Sequence, residues 1–386
     1  MKIAFLTPEY PHPITGSSGG IGTSIKNLAI GLLAEGCSVR VLVYGQKEES
    51  DFEDNGIFVQ RIKNVKFKGL SWFFTRKKLE NIINQLYANQ EIDLVEAPDW
   101  TGITSFIQPK KCPIVIRLNG SDTYFCHLDN RPVKWKNKFH EKRALQNADA
   151  LLSVSQFTAD LTNQVFGLQK HFTIIPNSID TSLFLNDSGS PLLWGGVGGE
   201  VILYFGSLIR KKGLLELPLI FNAVIQKKSN VQLFLIGKDV PDVISGNSST
   251  WAMMQELFTD EALQNVSYLG SVPYQEIKAH IKMAGVCVFP TFAEALPVSW
   301  IEAMAMQKSI VASNIGWATE VIENGKEGFL VYPKDHGKYA NRILELLENQ
   351  KMQDDFGVAA RKKVVEKFSM KVVAQQSLSF YKKVIQ

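Results

Sequence analysis

The stretch from Val286 to Ser313 reads VCVFPTFAEALPVSWIEAMAMQKSIVAS, and the fold prediction depends on its pattern. Its first residues, Val286–Phe289, are apolar and short enough to form a buried strand. Pro297 suits the first turn of a helix, which is expected to run through Met306. A second apolar run, Ile310–Ala312, follows. This order predicts two parallel strands joined by a crossover helix.

The same alternation extends outward over nearly the whole chain. In the first half, the runs expected to form strands are Lys2–Leu6, Val39–Tyr44, Asp93–Glu96, Ile114–Leu118, Ala150–Val154 and Thr173–Ile175. In the second half, they are Val201–Phe205, Val231–Ile236, Val266–Leu269, Val286–Phe289, Ile310–Ala312 and Phe329–Val331. Helical patterns separate them, so the predicted fold class is α/β with two doubly wound parallel sheets.

Domain organisation follows from the length and from one glycine-rich segment. The chain has 386 residues, which is typical of two domains. Residues 186–200 read NDSGSPLLWGGVGGE, a composition typical of a linker. We therefore expect one domain over residues 1–185 and a second over 201–369, with the linker at 186–200. The helical pattern at 370–386 is expected to pack back onto the first domain.

Composition excludes several classes of protein. The chain is 45% apolar and 21% charged, which is ordinary for a soluble globular enzyme and argues against disorder. No apolar run is long enough for a transmembrane helix, and the first apolar run is too short for a signal peptide. The cysteines have no metal-binding spacing. These observations predict a cytoplasmic protein with reduced thiols.

A glycine-rich segment, SSGGIGTS over Ser17–Ser24, follows the first strand. Gly19 and Gly20 would let the backbone approach a ligand closely, and the helix N-terminus after them attracts phosphate. The segment matches neither the P-loop nor the dinucleotide-binding G-x-G-x-x-G pattern, which argues against a nicotinamide-dependent dehydrogenase. A helix start that binds no ligand is the alternative interpretation.

Three cations follow the first strand of the second half, in FGSLIRKKGL over Phe205–Leu214. Arg210, Lys211 and Lys212 would repel one another unless an anion neutralised them, and a diphosphate carries the charge to do so. A solvated basic loop is the alternative.

Two carboxylates lie in the loop and helix after the strand quoted first. Glu294 precedes the helix, and Glu302 lies within it. Because Pro297 has no N–H, donors at this helix N-terminus would come from neighbours such as Leu296 and Val298. Glu302 could accept two hydrogen bonds from a ribose diol, whereas Glu294 would lie nearer to a transferred sugar. One such glutamate is usually solvated, but this placement of two favours a functional site.

In these motifs the chain resembles the family 4 glycosyltransferases. The most specific resemblance is the pair Glu294 and Glu302 within FAEALPVSWIEAMA. The others, in the family's order, are GGIG (19–22), IPNSID (175–180), GSLIRKKG (206–213), LGSVPYQEI (269–277) and GWATEVIENGKEGFLV (316–331). The resemblance implies the GT-B fold, in which two Rossmann-like domains face each other across a cleft, and transfer of a sugar with retained anomeric configuration.

The resemblance also implies substrates and site residues. A hexose would move from a UDP- or GDP-linked donor, held mainly by the second domain, to a glycan or lipid-linked acceptor on the first. Neither a cofactor nor a metal would take part, and cell-envelope polysaccharide or lipopolysaccharide synthesis would be the pathway. Lys212, Arg210 and Glu294 would be catalytic, and Glu302 would bind the ribose. Further donor contacts would come from Gly19, Gly20, Gly206, Ser207, Lys211, Gly237, Ala295, Leu296, Pro297 and Val298.

Three positions depart from the family's pattern. Ser207 stands where the family usually has Arg, and Asn119 in RLNGSD stands where it often has His. Asn119 can hydrogen-bond to the donor sugar or the acceptor, but its amide cannot take a proton at neutral pH. Asp239 replaces the second glycine of the G-x-G turn that begins at Gly237.

The first domain carries two basic stretches. Residues 57–79 include seven Lys or Arg and no acidic residue, interleaved with aromatic residues, and residues 110–143 include nine Lys or Arg against three acidic residues. This pattern suits peripheral contact with the anionic inner face of a cell membrane. The alternative is a solvated face with its aromatic residues in the core. Neither stretch matches a nucleic-acid recognition module, so no nucleic-acid partner is expected.

Two other functions remain open on the sequence alone. One is a sugar-nucleotide epimerase of the same architecture. The other is a non-catalytic sugar-nucleotide-binding subunit of a glycosylation complex. The departures at Ser207 and Asn119 keep the second open, whereas Glu294, Glu302 and Lys212 argue against it.

Overall fold

The computed structural model describes residues 1–16, 18–185 and 200–386. Apart from Glu200, the predicted linker at 186–200 lies outside the described residues, as does Ser17 of the glycine-rich segment. The chain divides into two compact units, Met1–Ile179 with Lys367–Gln386, and Asp180–Glu366.

The first unit is built on an eight-stranded sheet. Its elements are β1 (Lys2–Thr7), α1 (Gly20–Ala34), β2 (Ser38–Gln46), β3 (Ser50–Asp54), β4 (Ile57–Lys63), α2 (Ser71–Ala88), β5 (Leu94–Pro98), β6 (Ile114–Leu118), α3 (Asp122–Leu128), α4 (Trp135–Asn147), β7 (Ala150–Ser153), α5 (Gln156–Phe166) and β8 (Thr173–Ile174). The strand order is β3-β4-β2-β1-β5-β6-β7-β8. Neighbouring strands pair in parallel, except that β3 pairs antiparallel with β4.

The hairpin of β3 and β4 was not expected from the sequence. The residues of β3 read SDFED and lack the apolar pattern by which twelve of the strands are recognised, whereas β4 reads IFVQRIK and was missed although Ile57, Val59 and Ile62 are buried. Asn55 and Gly56 connect the two strands, and both have positive φ. An Asn-Gly pair of this kind is a strong hairpin signal, so this local feature could have predicted the turn.

Alternating residues of the strands bury opposite faces of this sheet. Ala4 and Leu6 of β1 belong to a cluster that includes buried residues of α2, α4 and α5. Ile3 and Phe5 belong to a second cluster with residues of α1. The sheet therefore has helices on both faces, as the doubly wound prediction requires.

The second unit is built on a six-stranded sheet. Its elements are β9 (Val201–Phe205), α6 (Leu217–Ile225), β10 (Gln232–Ile236), α7 (Thr250–Gln255), α8 (Asp260–Leu263), β11 (Val266–Tyr268), α9 (Tyr274–Met283), β12 (Val286–Phe289), α10 (Val298–Ala305), β13 (Ser309–Ser313), α11 (Ala318–Val321), β14 (Phe329–Val331), α12 (His336–Leu347) and α13 (Gln350–Lys367). The strand order is β11-β10-β9-β12-β13-β14, and every neighbouring pair is parallel.

The last helix, α14 (Met370–Val384), belongs to the first unit. It packs against α1, where a Cβ on Gly31 would lie 2.8 Å from the carbonyl oxygen of Met370. Ile179 also donates its amide to the carbonyl of Phe368 over 2.9 Å, which joins the segment after α13 to this unit.

The division between the units comes before the predicted boundary at residue 185. Residues 180–185 belong to the second unit. Arg361 holds them there, because its guanidinium donates to the carbonyls of Thr181 and Phe184 over 2.9 and 2.7 Å. The Phe184 side chain is buried and contacts the ring of Tyr274.

Gly237 directly follows β10 and has a φ of +143°, and a Cβ there would overlap with the carbonyl of Gly206. We expect Gly237→Ala to lower the unfolding free energy of the second unit by about 2 kcal/mol more than Gly246→Ala, because it adds overpacking to backbone strain. Gly246 is a matched control, since it also has positive φ but nothing within 4 Å of its Cβ position. Urea denaturation of both variants measures the difference, and equal midpoints would contradict the packing argument.

Candidate active site

The strand order of the second sheet places β9 beside β12. From this pair the chain adds strands outward in opposite directions, so the gap between β9 and β12 is the topological switch point of the sheet. Doubly wound sheets bind ligands beyond the carboxyl ends of the strands at such a point. The segment 206–213 follows β9, and the segment 290–297 follows β12. These two segments carry most of the donor-binding residues predicted from the sequence.

Backbone hydrogen bonds hold these two segments together. The amides of Phe292 and Ala293 donate to the carbonyl of Lys211 over 2.8 and 3.2 Å. Gly213 has a φ of +73°, and a Cβ there would overlap with the carbonyl of Pro290, so the close approach requires glycine. The two loops therefore form one surface at the switch point.

The predicted residues Lys212 and Glu294 meet on this surface. The Nζ of Lys212 lies 3.0 Å from the Oε1 of Glu294, and both side chains are mostly buried. Burial opposes the charge of Lys212, but the neighbouring Glu294, Tyr204 and Glu302 outweigh it and raise the pKa of the ammonium. Lys212 is therefore a fixed positive charge at neutral pH.

Glu302 lies on α10 and is buried. The hydroxyl of Tyr274, the first residue of α9, donates to its Oε1 over 2.7 Å. Burial raises the pKa of Glu302 to about 7, although the Tyr274 hydroxyl and the Lys212 charge both oppose this rise. The carboxyl is therefore poised to titrate near neutral pH. Tyr274 lies within the motif LGSVPYQEI, but its contact with Glu302 was not expected from the sequence.

Arg210 has a different partner from Lys212. Its guanidinium forms a bidentate ion pair with Asp242 over 2.9 and 2.8 Å. Asp242 is buried, and Arg210 lowers the pKa of its carboxyl. The predicted catalytic role of Arg210 stays a prediction, and the structure gives this cation a structural contact that sequence reasoning missed.

The other predicted residues of the second unit lie around Lys212 and at the end of β10. A Cβ on Gly206 would lie 3.5 Å from the Nζ of Lys212, so this backbone closely approaches the ammonium. The hydroxyl of Tyr204 donates to the carbonyl of Ser207 over 3.0 Å. The carbonyl of Gly237 accepts a 2.8 Å hydrogen bond from the hydroxyl of Tyr268. Ala295, Leu296 and Pro297 directly precede α10, which begins at Val298.

Asp239 explains one departure from the family's pattern. Its carboxylate accepts hydrogen bonds from the Ser249 hydroxyl over 2.6 Å and from the Trp251 amide over 3.0 Å. Ser249 caps α7 and Trp251 lies in its first turn, so Asp239 stabilises the start of that helix. An aspartate at this position has a structural role that glycine could not supply.

In the first unit, Gly19 is the N-cap of α1 and Gly20 is its first residue, so the helix begins within the glycine-rich segment rather than after it. The amide of Gly22 donates to the Oε1 of Glu9 over 2.9 Å. The Glu9 carboxylate therefore satisfies part of the helix N-terminus at which sequence reasoning placed a phosphate. Contact of Gly19 and Gly20 with a phosphate stays a prediction, and such a ligand would share this N-terminus with Glu9.

Asn119 follows β6 and depends on a carboxyl that sequence reasoning missed. The backbone N–H of Asn119 donates to the Oδ1 of Asp99 over 2.9 Å, and Asp99 follows β5. Burial raises the pKa of Asp99 to about 7, although the Asn119 amide opposes this rise. Glu141, also buried, accepts the amides of Asp122 and Thr123 just beyond. Two buried carboxyls therefore fix the turn that carries Asn119.

The described part of the chain has neither a metal-binding cluster nor a helix that could span a membrane. Within residues 1–16, 18–185 and 200–386, no group of three or more His, Cys, Asp or Glu is arranged to hold a metal ion. No helix in the same ranges combines the length and the apolar character needed to span a bilayer.

Two family models match the chain: Glycosyltransferase Family 4 over residues 18–183, and Glycosyl transferases group 1 over residues 197–363. The chain belongs to glycosyltransferase family 4. Among its relatives is the alpha-maltose-1-phosphate synthase of Mycolicibacterium smegmatis, which is 25% identical over the full length of both chains. The predicted hexosyltransferase class is confirmed.

Solved structures have the same fold as this family 4 glycosyltransferase. Sucrose-phosphate synthase from Thermosynechococcus elongatus superposes with a TM-score of 0.78 at 19% identity, covering 100% of this chain and 99% of that one. Anabaena HepE in complex with UDP-glucose superposes with a TM-score of 0.76 at 21% identity, covering 99% and 100%. The predicted GT-B fold of two parallel-sheet α/β domains is confirmed.

The contact between Tyr274 and Glu302 allows the role of Glu302 in this glycosyltransferase to be tested. The Tyr274 hydroxyl favours the ionised carboxylate, so Tyr274→Phe should raise the pKa of Glu302 above its value of about 7. If the ionised form accepts the ribose hydroxyls, the affinity for a nucleoside diphosphate falls as the pH drops through that pKa. The midpoint of this fall should lie at higher pH in Tyr274→Phe.

Calorimetric titration of UDP and GDP on both sides of neutrality measures the midpoint. The ligand's own phosphate ionisation is common to all variants and cancels in the comparison. Tyr332→Phe, at an exposed tyrosine of the same unit, is the control. A common midpoint for Tyr274→Phe and the control would contradict the assignment.

Proposed function

We propose that this glycosyltransferase moves a hexose from a UDP- or GDP-linked donor to a glycan or lipid-linked acceptor, with retention of anomeric configuration. The observation that carries the proposal is the convergence of Lys212, Glu294 and Glu302 beyond the switch point of the second sheet. One cation and two carboxyls at this point match the three parts of a sugar nucleotide: the diphosphate, the hexose and the ribose.

Lys212 is assigned to the diphosphate. The leaving group gains negative charge as the glycosidic bond breaks, and a fixed ammonium in a mostly buried site stabilises that charge without reorganising. The adjoining backbone of Gly206 and the amides at the start of α10 would complete the phosphate contacts. Because Lys212 supplies the positive charge, we propose a reaction that needs no divalent metal.

Glu302 is assigned to the ribose, because a buried carboxylate can accept hydrogen bonds from both hydroxyls of the diol. Glu294 precedes α10 and contacts Lys212, so its carboxylate would accept hydroxyls of the hexose next to the diphosphate. The UDP-glucose bound to HepE, a protein of the same fold, supports a hexosyl nucleotide as the donor.

The acceptor is assigned to the first unit. A cavity of about 20 Å³ there is lined in part by Ser24, Asn119 and Asn177, so it has room and polar groups for a single hydroxyl of the acceptor. Asn119 would orient the acceptor rather than remove its proton, and the departing phosphate would take that proton. A place in cell-envelope polysaccharide or lipopolysaccharide synthesis is part of the proposal, and it rests on the family resemblance alone.

Incubation with UDP- and GDP-hexoses tests the activity. Slow donor hydrolysis should release the nucleoside diphosphate, and Glu294→Ala should abolish this release while calorimetry still detects nucleotide binding. Interconversion of the donor sugar without release would indicate an epimerase. Wild-type binding without release or transfer would indicate a non-catalytic subunit, and absence of binding would refute the proposal.

The role of Lys212 predicts a large kinetic effect. Lys212→Ala should lower kcat/KM for the donor by about 100- to 1000-fold, the usual loss when one fixed group that stabilises a developing anion is removed. Lys362→Ala removes an exposed lysine on α13 and should leave kcat/KM unchanged. Steady-state kinetics compare them, and equal kcat/KM values for the two variants would contradict the role.

A further inference from the structure

A connected group of aromatic rings lies in the first unit and includes none of the residues assigned to the donor or the acceptor. It contains Phe67, Trp72, Phe73, Phe74, Phe106, Phe139 and His140, which we call the aromatic surface. Ring centroids are 4.8 Å apart for Phe67 and Phe74, 5.6 Å for Trp72 and Phe106, and 6.3 Å for Phe106 and Phe139. The contacts join the loop after β4, the start of α2, the loop after β5 and α4 into one feature.

Much of the aromatic surface is exposed. The exposed fraction is 53% for Phe67, 41% for Trp72 and 48% for Phe139. Leu70 and Trp135, at 44% and 71%, each lie four residues before an aromatic residue of the group and extend it. A contiguous apolar area of this kind on a soluble fold marks an interaction site.

Positive charge surrounds these rings. Lys66, Lys68, Lys134 and Lys136 are exposed, and neither residues 57–79 nor residues 130–140 contain an acidic residue. Arg143 lies 4.4 Å from the centroid of the Phe106 ring, so a cation also lies within the group. Glu141, which follows on α4, is buried and bonded to backbone amides. Lys77, Lys78 and Arg131 pair with Glu80, Glu49 and Asp129, so the positive charge of the exposed face comes from the four lysines named first.

The position of the aromatic surface relates it to the acceptor. The loops after β4 and β5 carry Phe67 and Phe106, and the turn after β6 carries Asn119. All three strands lie in the parallel part of the sheet, so their carboxyl ends share one edge. The rings therefore border the edge to which the acceptor is assigned.

We propose that the aromatic surface attaches the first unit to an anionic lipid bilayer and presents this edge to an acceptor held in that bilayer. Phenylalanine and leucine carry no hydrogen-bonding side-chain group, so Phe67, Leu70, Phe74 and Phe139 suit the hydrocarbon boundary better than the hydroxyls of a soluble glycan. The surrounding lysines are attracted to anionic headgroups. The choice of a lipid-linked acceptor rests on the proposed function, whereas attachment to the bilayer does not.

Flotation with vesicles tests the proposal on the full-length protein. The protein should float with vesicles of phosphatidylcholine and phosphatidylglycerol at low salt, and weakly or not at all with phosphatidylcholine alone. The combined variant Lys66→Gln, Lys68→Gln, Lys134→Gln should weaken the partition by about a hundredfold. The combined variant Phe67→Ser, Phe74→Ser, Trp135→Ser should weaken it at least tenfold, and high salt should not restore it.

Matched controls lie on α13, where Lys351, Lys362, Val358 and Val365 are exposed. Their substitution by Gln and Ser should leave flotation unchanged. In every variant, the thermal unfolding of the first unit and the affinity for a nucleoside diphosphate should equal those of wild type. The first measurement separates lost attachment from misfolding of the substituted unit, and the second separates it from failure of the proposed function. The proposal is overturned if wild type does not float with anionic vesicles, if the aromatic variant floats like wild type, or if the protein binds an anionic polysaccharide and not the vesicles.

Discussion

The Nζ of Lys212 lies 3.0 Å from a carboxylate oxygen of Glu294 in a mostly buried site. Removing a lysine from water would ordinarily disfavour its charge, and Glu294 with Glu302 keeps the ammonium charged there. The rest of the site fixes this contact: the carbonyl of Lys211 binds two amides of the opposite loop, and Gly213 permits the approach. A charge held in this way is already oriented before a substrate arrives, which is the condition for effective electrostatic catalysis.

The sheet explains why these groups meet. Lys212 follows β9 and Glu294 follows β12, and these strands are neighbours only because the order reverses between them. The first unit repeats the arrangement, since β1 lies beside β5 and the loops after them carry Glu9 and Asp99. In both units, carboxylates that accept backbone amides fix loops at the carboxyl ends of the strands: Glu9 and Asp99 in the first unit, and Asp239 and Asp242 in the second. The parallel topology thus brings residues that are distant in sequence together on one surface.

Sequence patterns predicted the features that depend on residues close together in the chain. The apolar runs located twelve of the strands, because a buried parallel strand is nearly all apolar, and the spacing of Glu294 and Glu302 marked one loop and its helix. The partners of these residues could not be predicted. Tyr274 lies 28 positions from Glu302, and Asp242 lies 32 positions from Arg210, so only the folded chain pairs them. The boundary at residue 180 likewise depends on Arg361, which contacts Thr181 across 180 positions.

The division of labour between Lys212 and Glu302 is the central claim, and binding of a nucleoside compared with its diphosphate tests it most directly. Calorimetry would compare wild type, Lys212→Met and Glu302→Gln, with uridine or guanosine and the corresponding diphosphate. We expect Lys212→Met to lose affinity for the diphosphate but to bind the nucleoside like wild type, whereas Glu302→Gln should lose affinity for both. Equal losses for nucleoside and diphosphate in Lys212→Met would contradict the account, because the lysine would then not be acting on the phosphates.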